Sequence, residues 1–249
     1  MSVVKVNLVI KRASNPKTST LRRRIRSAVG WVARRVALVG LLIAALATLW
    51  IALYGVIAPP TTPYMIAEGR RTGGVTRDWV PIEDIAISLQ RAVVAAEDAN
   101  YCLHWGFDMT AIRSAINAGA ARGGSTISQQ TTKNAFLWHG RSWPRKALEA
   151  LMTPMVEALW SKRRILEVYL NIIEFDEGVF GAEAAAQHYF GVSAADLSDV
   201  QSARLAAILP NPQGRSASNP SSQTRNRTAQ ILDGAATIRA DGRDSCFAR

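Results

Sequence analysis

The chain has 249 residues, of which 48% are hydrophobic and 20% are charged, and its formal net charge is +11. This length suits one sizeable domain with an appendage, and the composition is ordinary for a globular protein. The first 35 residues hold ten lysines and arginines and no acid, whereas the remaining 20 basic residues face all 19 acidic ones. Because the body of the chain is nearly neutral, the charge argues against a nucleic-acid-binding protein.

An uncharged apolar segment, residues 36–57, follows the basic arm and is long enough to cross a bilayer as a helix. Trp50 and Tyr54 near its end suit a membrane–water interface. A cleaved signal peptide is the alternative, but its apolar region typically has about 7–15 residues, and no small-residue cleavage site follows Ile57. A buried core helix is disfavoured because the segment is apolar on every face. We expect a retained single-pass anchor.

The arginines lie before the apolar segment and none follows it directly. This asymmetry places the N-terminus in the cytoplasm and the body of the chain on the outer side of the membrane. Cys102 and Cys246 then lie in an oxidising compartment, where a disulfide is permitted. The sequence does not show whether they meet, and their spacing matches no metal-binding pattern.

The proline-rich residues 58–63 favour an extended conformation. The chain is therefore expected to consist of a basic cytoplasmic arm (1–35), a transmembrane helix (36–57), a linker (58–75) and a folded domain (76–249). Within that domain strand signals are scarce and helical signals dominate. The predicted helices cover residues 85–99, 108–121, 125–135, a stretch after Ser142-Trp143-Pro144, a stretch after Ser161, and residues 181–190, 198–209 and 222–239. The fold class is mainly α.

Two predicted helices carry polar residues whose spacing brings them together. On the helix from residue 125, one face holds Thr126, Gln130 and Lys133. On the next, Arg145 and Lys146 lie four and three residues before Glu149. Such pairs are also common on solvated helix faces, so each cluster alone is more often an exposed pair of charges than a functional site.

Three cations, Lys162, Arg163 and Arg164, stand at another predicted helix start. The helix dipole disfavours cations there, and helix N-termini bind phosphates. A bound anion close to these side chains would explain their placement.

Two glutamates have contrasting surroundings. Glu97 ends an apolar helix, and the apolar residues Tyr101, Leu103, Trp105 and Phe107 follow it. Burial against such residues should raise its pKa and prepare it for proton transfer. Glu149 is flanked by two cations, which should keep it ionised. Two carboxylates in unlike environments are typical of glycosyl chemistry, although a capping acid and a salt-bridged acid would look the same.

Five segments carry these residues in order: residues 97–106 (EDANYCLHWG), 124–130 (GSTISQQ), 145–149 (RKALE), 162–171 (KRRILEVYLN) and 181–190. They resemble the five motifs of the family fifty-one glycosyltransferases, the peptidoglycan glycosyltransferases, whose first motif is written ED-x-x-F-x-x-H-x-G. Tyr101 stands where phenylalanine is usual and Ser128 where threonine is common. Both keep size or hydrogen-bonding character.

The resemblance implies a lysozyme-like helical fold with a large head lobe and a smaller, membrane-facing jaw lobe. No Ser-x-x-Lys motif of a transpeptidase domain follows before Arg249. The chain therefore resembles the monofunctional members of the family. Their expected location is the bacterial inner membrane, with a periplasmic catalytic domain.

The resemblance also implies the reaction. Lipid II, a disaccharide–pentapeptide on undecaprenyl pyrophosphate, would be the substrate, and the growing glycan would pass to its 4-hydroxyl with release of undecaprenyl pyrophosphate. Glu97 would be the general base and Glu149 would assist the leaving group. The expected substrate-binding and pyrophosphate-binding residues are Asp98, His104, Ser125, Thr126, Gln130, Lys133, Asn134, Arg145, Lys146 and Arg164.

No cofactor is expected to be required; Mg²⁺ or Mn²⁺ would bind only with pyrophosphate, with Glu149 as the candidate ligand. Expected partners are lipid II, the nascent strand, the bilayer and cell-wall synthesis or division proteins, but no nucleic acid. The main rival is a lysozyme-like or lytic enzyme that cleaves peptidoglycan. A catalytically dead scaffold is a second rival, which intact acids at Glu97 and Glu149 disfavour.

Overall fold

The computed structural model describes residues 16–117, 124–140 and 142–248, with side chains from residue 28 onward. The chain divides into two compact units, residues 1–49 and residues 50–249. The second unit contains the predicted domain, and its core is formed by helices, which confirms the mainly α prediction.

The first helix, α1, runs over Pro16–Tyr54. Its apolar part, Ala28–Tyr54, has a mean hydropathy of 2.6 over its best window, and only 6% of that window is buried. By length and composition this helix fits a single-pass membrane anchor.

The last turn of α1 is part of the second unit, so the predicted end of the anchor at residue 57 is too late. Ile51 is fully buried in the domain core. Its carbonyl oxygen accepts a 2.8 Å hydrogen bond from the Trp160 indole nitrogen. An apolar run cannot show this change of surroundings, because lipid and a protein core favour the same side chains.

The predicted linker 58–75 is wrong for most of its length, because α2 covers Pro63–Thr72. The Thr62 hydroxyl caps this helix by accepting a 3.1 Å bond from the Met65 amide. Proline in the first turn after a cap residue favours helix formation rather than extension. Met65 is buried in the core, so α2 belongs to the domain.

The other predicted helices are confirmed within a residue or two at each described end. They are α3 (Ile87–Glu97), α4 (Met109–Asn117), α5 (Ile127–Phe136), α6 (Trp143–Leu159), α7 (Lys162–Ile172), α8 (Ala182–Phe190), α9 (Asp199–Ile208) and α10 (Ser222–Ala240). The predicted end of α4 near residue 121 falls outside the described residues. Helices α3, α9 and α10 pack together, and α5 packs on both α6 and α7.

Three short strands form a small sheet that the sequence did not reveal. They are β1 (Thr76–Arg77), β2 (Glu174–Asp176) and β3 (Val179–Phe180), in the order β1-β3-β2. β1 pairs with β3 in parallel and β2 pairs with β3 in antiparallel orientation, with a bulge in β2. Runs of two or three residues are too short to show the alternation of apolar and polar side chains that marks a strand.

Cys102 and Cys246 form a disulfide, with their Cα atoms 5.7 Å apart. The bond joins the segment after α3 to the segment after α10, which answers the question that their spacing left open.

Candidate functional site

A cavity of about 600 Å³ lies between α5, α6, α7 and the segment 209–213. One wall carries three cationic side chains and one carboxylate: Lys133, Arg145, Lys146 and Glu149. Ser125, Gln130 and Asn134 also line the cavity, as their predicted substrate-contacting roles require.

Arg145 and Lys146 converge on Glu149, as their spacing predicts. Arg145 Nη1 donates a 2.9 Å bond to Glu149 Oε2, and Lys146 Nζ donates to Glu149 Oε1. Lys146 Nζ also lies 3.3 Å from Ser125 Oγ. The Glu149 side chain is 3% exposed, so its two oxygens depend on these cations for their hydrogen bonds.

Lys133 projects from α5 toward the same carboxylate. Burial lowers the pKa of its ammonium, Glu149 opposes that effect, and Arg145 and Lys146 lower the pKa further. Three cations facing one acid leave this wall positively charged. We name Lys133, Arg145 and Lys146 the cationic wall; its charge and burial suit a polyanionic ligand group.

Glu97, the last residue of α3, does not line the cavity but lies directly behind Gln130. Gln130 Nε2 donates a 3.0 Å bond to Glu97 Oε2, and Gln130 Oε1 accepts a 3.1 Å bond from the Tyr169 hydroxyl. Arg227 of α10 approaches the other Glu97 oxygen at 3.7 Å. The Gln130 side chain therefore separates Glu97 from the cavity.

Burial raises the pKa of Glu97, while the Gln130 hydrogen bond and the charges of Arg227 and Lys133 oppose the rise. The predicted direction is confirmed, but its expected cause is partly wrong. Leu103 and Trp105 are 67% and 58% exposed and form no wall around the carboxylate. The groups around Glu97 come instead from α5, α7 and α10, which are distant in sequence.

Asp98 and His104 hold the first motif together rather than lining the cavity. Asp98 Oδ1 lies 2.8 Å from His104 Nε2, and Asp98 Oδ2 accepts a 2.9 Å bond from the Ile127 amide. Asp98 therefore ties the segment after Glu97 to the start of α5. The sequence predicts that both residues bind substrate, but neither of them lines this cavity.

Thr126 is predicted to bind substrate, and the structure places its side chain in a buried position at the start of α5. It forms a capping box with Gln129, and its hydroxyl donates a 2.6 Å bond to the Gly106 carbonyl oxygen. Gly106 has φ +82°, and a Cβ atom there would stand 3.0 Å from Thr153 Cγ2. Thr126 and Gly106 thus hold the first and second motifs against each other.

Arg164, which is predicted to bind pyrophosphate, does not line the cavity. Its guanidinium donates to the carbonyl oxygens of Tyr54 and Ile57 and pairs with Glu167 at 2.7 Å. Its role is to hold the chain between α1 and α2.

Lys162 and Arg163, the two residues before Arg164, also form ion pairs with protein carboxylates. Lys162 pairs with Glu157 at 2.7 Å and Arg163 with Glu83 at 2.6 Å. The cations at the start of α7 therefore need no bound anion.

The sequence missed the opposite end of the cavity, which Tyr64, His139, Glu174 and Gln213 line. The Tyr64 hydroxyl donates to Glu174, the Gln213 amide lies 3.2 Å from the same carboxylate, and the rings of Tyr64 and His139 stack with centroids 4.1 Å apart. Burial raises the pKa of Glu174 and lowers that of His139.

The described residues contain no group of three or more histidine, cysteine or acidic side chains that could hold a metal ion. Both oxygens of Glu149, the predicted ligand, are engaged by Arg145 and Lys146. These residues therefore do not fit a metal on their own.

A family model described as Transglycosylase matches residues 66–236, from within α2 to within α10. Three relatives share the name "Biosynthetic peptidoglycan transglycosylase". The protein of Jannaschia sp. (strain CCS1) is 61% identical over 239 residues, covering 96% of this chain and 99% of the relative. That of Stutzerimonas stutzeri is 50% identical, covering 75% and 81%. That of Caulobacter vibrioides is 48% identical, covering 79% and 87%.

Proposed function

The chain belongs to the transglycosylase family, and on this basis we propose that it is a peptidoglycan glycosyltransferase that polymerises glycan strands. The donor would be the growing strand on undecaprenyl pyrophosphate and the acceptor would be the 4-hydroxyl of lipid II. The membership confirms the resemblance carried by the five motifs. The three relatives are named for this biosynthetic activity.

The observation that carries the proposal is the cationic wall. It lines a cavity whose residue Gln130 is hydrogen-bonded to Glu97, a largely buried glutamate. A pyrophosphate leaving group gains negative charge as its bond to the sugar breaks, and buried cations stabilise that charge. An enzyme that hydrolyses a finished glycan has no such leaving group, so the wall favours the transferase over the lytic alternative.

In this mechanism Glu97 takes the proton from the 4-hydroxyl of lipid II. The resulting oxygen attacks the anomeric carbon of the strand, and the bonding electrons leave with undecaprenyl pyrophosphate. Burial favours proton transfer by Glu97, because its raised pKa lies closer to neutrality than that of an exposed glutamate. Gln130 stands between Glu97 and the cavity, so the transfer requires that its side chain turn aside or that one water bridge the gap.

Glu149 assists the departure of pyrophosphate by fixing Arg145 and Lys146. Each of its oxygens accepts from one cation, so both head groups are oriented before substrate binds. Preorganised charges need no rearrangement when the negative charge develops. Mg²⁺ or Mn²⁺ held by the pyrophosphate itself would add positive charge at the leaving group, and chelation of divalent ions in the same assay measures that contribution.

Attachment to the inner membrane would bring this site to a polyprenyl substrate. The apolar helix α1 provides the anchor, and the basic residues before it favour a cytoplasmic N-terminus and a periplasmic domain. The second unit adds exposed apolar side chains on α4, α6 and the segment between α5 and α6: Met109, Ile116, Trp138, Trp143 and Leu151. Exposed apolar side chains of this size favour contact with lipid. Cell-wall synthesis or division proteins remain expected partners.

The test is product analysis of the purified protein on labelled lipid II in detergent. The wild type is expected to give polymer that lysozyme digests, and Glu97→Gln is expected to give none. Glu177→Gln is the matched control, because Glu177 is a half-exposed carboxylate outside the cavity. Cleavage of preformed glycan without synthesis of polymer would establish the lytic alternative instead.

A further inference from the structure

The chain after α10, residues 241–248, folds back onto the segment that follows Glu97. We name residues 241–248 the C-terminal clamp and residues 98–104 the Glu97 loop. The clamp lies beyond residue 236, where the match to the family model ends.

Three contacts join the clamp to the Glu97 loop. Cys246 forms the disulfide with Cys102. Arg243 Nη1 donates a 3.1 Å bond to the Ala99 carbonyl oxygen. The ring of Phe247, which is fully buried, lies 6.2 Å from that of the equally buried Tyr101.

The clamp is itself fixed to two helices of the domain. Asp244 accepts a 2.7 Å bond from Arg91 of α3, and the side chain of Arg163 of α7 donates to the Phe247 carbonyl oxygen. Displacement of the clamp would therefore break contacts with α3, the helix that ends in Glu97.

The regular structure of the Glu97 loop is one short 3₁₀ turn, Tyr101–Leu103. Its main-chain bonds include Tyr101 N to Asp98 O at 2.9 Å and Leu103 N to Asn100 O at 2.7 Å. Asp98, which ties Glu97 to α5, is the first residue of the loop. The disulfide lies four residues further on, so it limits how far this part of the chain can move.

We propose that the C-terminal clamp, closed by the Cys102–Cys246 disulfide, positions Glu97 for proton transfer, so that a dithiol reductant lowers the turnover of the enzyme. The inference rests on the proposed function. In the reduction, one dithiol passes two electrons to the bond, giving two protein thiols and one cyclic disulfide of the reductant. The clamp then holds the loop through the Arg243 and Phe247 contacts, without a covalent bond.

A disulfide that only stabilises the fold would act differently. It would lower the unfolding temperature on reduction but leave the chemistry of the folded molecules unchanged. A positioning role changes the environment of Glu97 in molecules that are still folded. The distinguishing measurements are kcat separately from KM and the acidic limb of the kcat/KM profile.

The experiment compares full-length enzyme in detergent with and without dithiothreitol, well below the melting temperature of each form. Reduction is expected to lower kcat on the order of ten-fold, to leave KM within about two-fold and to move the acidic limb, since a proton-transfer group commonly contributes 10²–10⁴-fold. Reoxidation should restore the rate. The double variant Cys102→Ser/Cys246→Ser should show the lowered rate and no response to reductant.

Arg243→Met tests the same role with the disulfide intact, and it should lower kcat in the same direction. The clamp proposal is overturned if the reduced enzyme keeps both kcat and its pH profile and only melts earlier. If oxidised wild type makes no polymer at all, the proposed function fails, and this inference fails with it.

Discussion

Glu97 and Glu149 are both shielded from water, but the groups around them differ. Glu149 receives one cation on each oxygen, whereas Glu97 receives an amide on one oxygen and a guanidinium at 3.7 Å from the other. Two cations balance the charge of Glu149, whereas burial raises the pKa of Glu97, so that its carboxylate takes up a proton more readily than an exposed one. These environments match the different roles assigned to the two acids.

The pH dependence of turnover should reflect Glu97. A base must be ionised, so activity is lost as pH falls through its pKa, and burial raises that pKa above the usual 4.5. The acidic limb of kcat/KM should therefore lie above pH 4.5. Arg227→Met removes a charge that favours ionisation, and it should move the limb to higher pH. Rates over a pH series check both statements, and a limb unchanged in the variant would contradict the role of Arg227.

Glu149→Gln should destabilise the domain by about 3 kcal/mol, because one partner of a buried ion pair is removed and two cations remain. Denaturant unfolding measures the change. Glu177→Gln is the comparison, since its partner Arg71 is half exposed and such a pair contributes about 0–1 kcal/mol. Equal effects in the two variants would show that the network around Glu149 is not a stabilising unit.

At the scale of elements, the helix starts were the most predictable features. Thr126, Ser142 and Ser198 all cap helices where the sequence placed a helix start. A cap residue and the amide that it binds are close in sequence, so a helix start can be predicted without knowledge of the fold. The short strands and α2 were missed because their signals are brief or were interpreted as extension at a proline-rich segment.

Thr126→Ala should cost about 1–2 kcal/mol of stability, because α5 loses its cap and Gly106 loses its hydrogen bond. Thr126→Ser keeps the hydroxyl and should recover most of that loss. Thermal unfolding measures both. Well below the melting temperature the alanine variant should keep a KM for lipid II close to that of the wild type, whereas a large rise in KM would indicate that Thr126 contacts the substrate, as the sequence predicts.

The candidate site was predictable where its residues are close in sequence. Arg145 and Glu149 are one helical turn apart, so spacing alone brought them together. Arg227 reaches Glu97 across 130 positions, and Glu174 meets Tyr64 across 110. Contacts between residues so far apart in the chain depend on how the helices pack, which cannot be predicted from the spacing of residues in one sequence. The protein partners of Arg164 were missed for the same reason, since the carbonyl oxygens to which it donates lie in another part of the chain.

At the scale of the whole molecule, the division between anchor and domain falls earlier than the hydropathy suggests. The second unit begins at Trp50, and Ile51 fills part of its core. The chain from Ile51 to Ile57 also supplies carbonyl oxygens to Trp160 and Arg164. The first part of this apolar segment therefore suits a lipid bilayer, and its last part packs in the core of the domain.

A fragment that begins at residue 50 should consequently be more stable than one that begins at residue 58. The shorter fragment loses a buried isoleucine and leaves the Trp160 indole and the Arg164 guanidinium without their acceptors. The expected difference is about 3 kcal/mol from the lost apolar burial and the unpaired donors. Denaturant unfolding of both fragments measures it, and equal stabilities would put the boundary back at residue 57.

The bond between Cys102 and Cys246 spans 144 positions and includes a cysteine that lies after α10. Formation of a disulfide takes seconds to hours, which is slow compared with the folding of a helical domain. A newly made molecule that folds before it is oxidised passes through a period as a folded dithiol. If the clamp governs turnover, young and old copies in one cell differ in activity, and the supply of oxidant determines how soon each copy begins to work at its full rate.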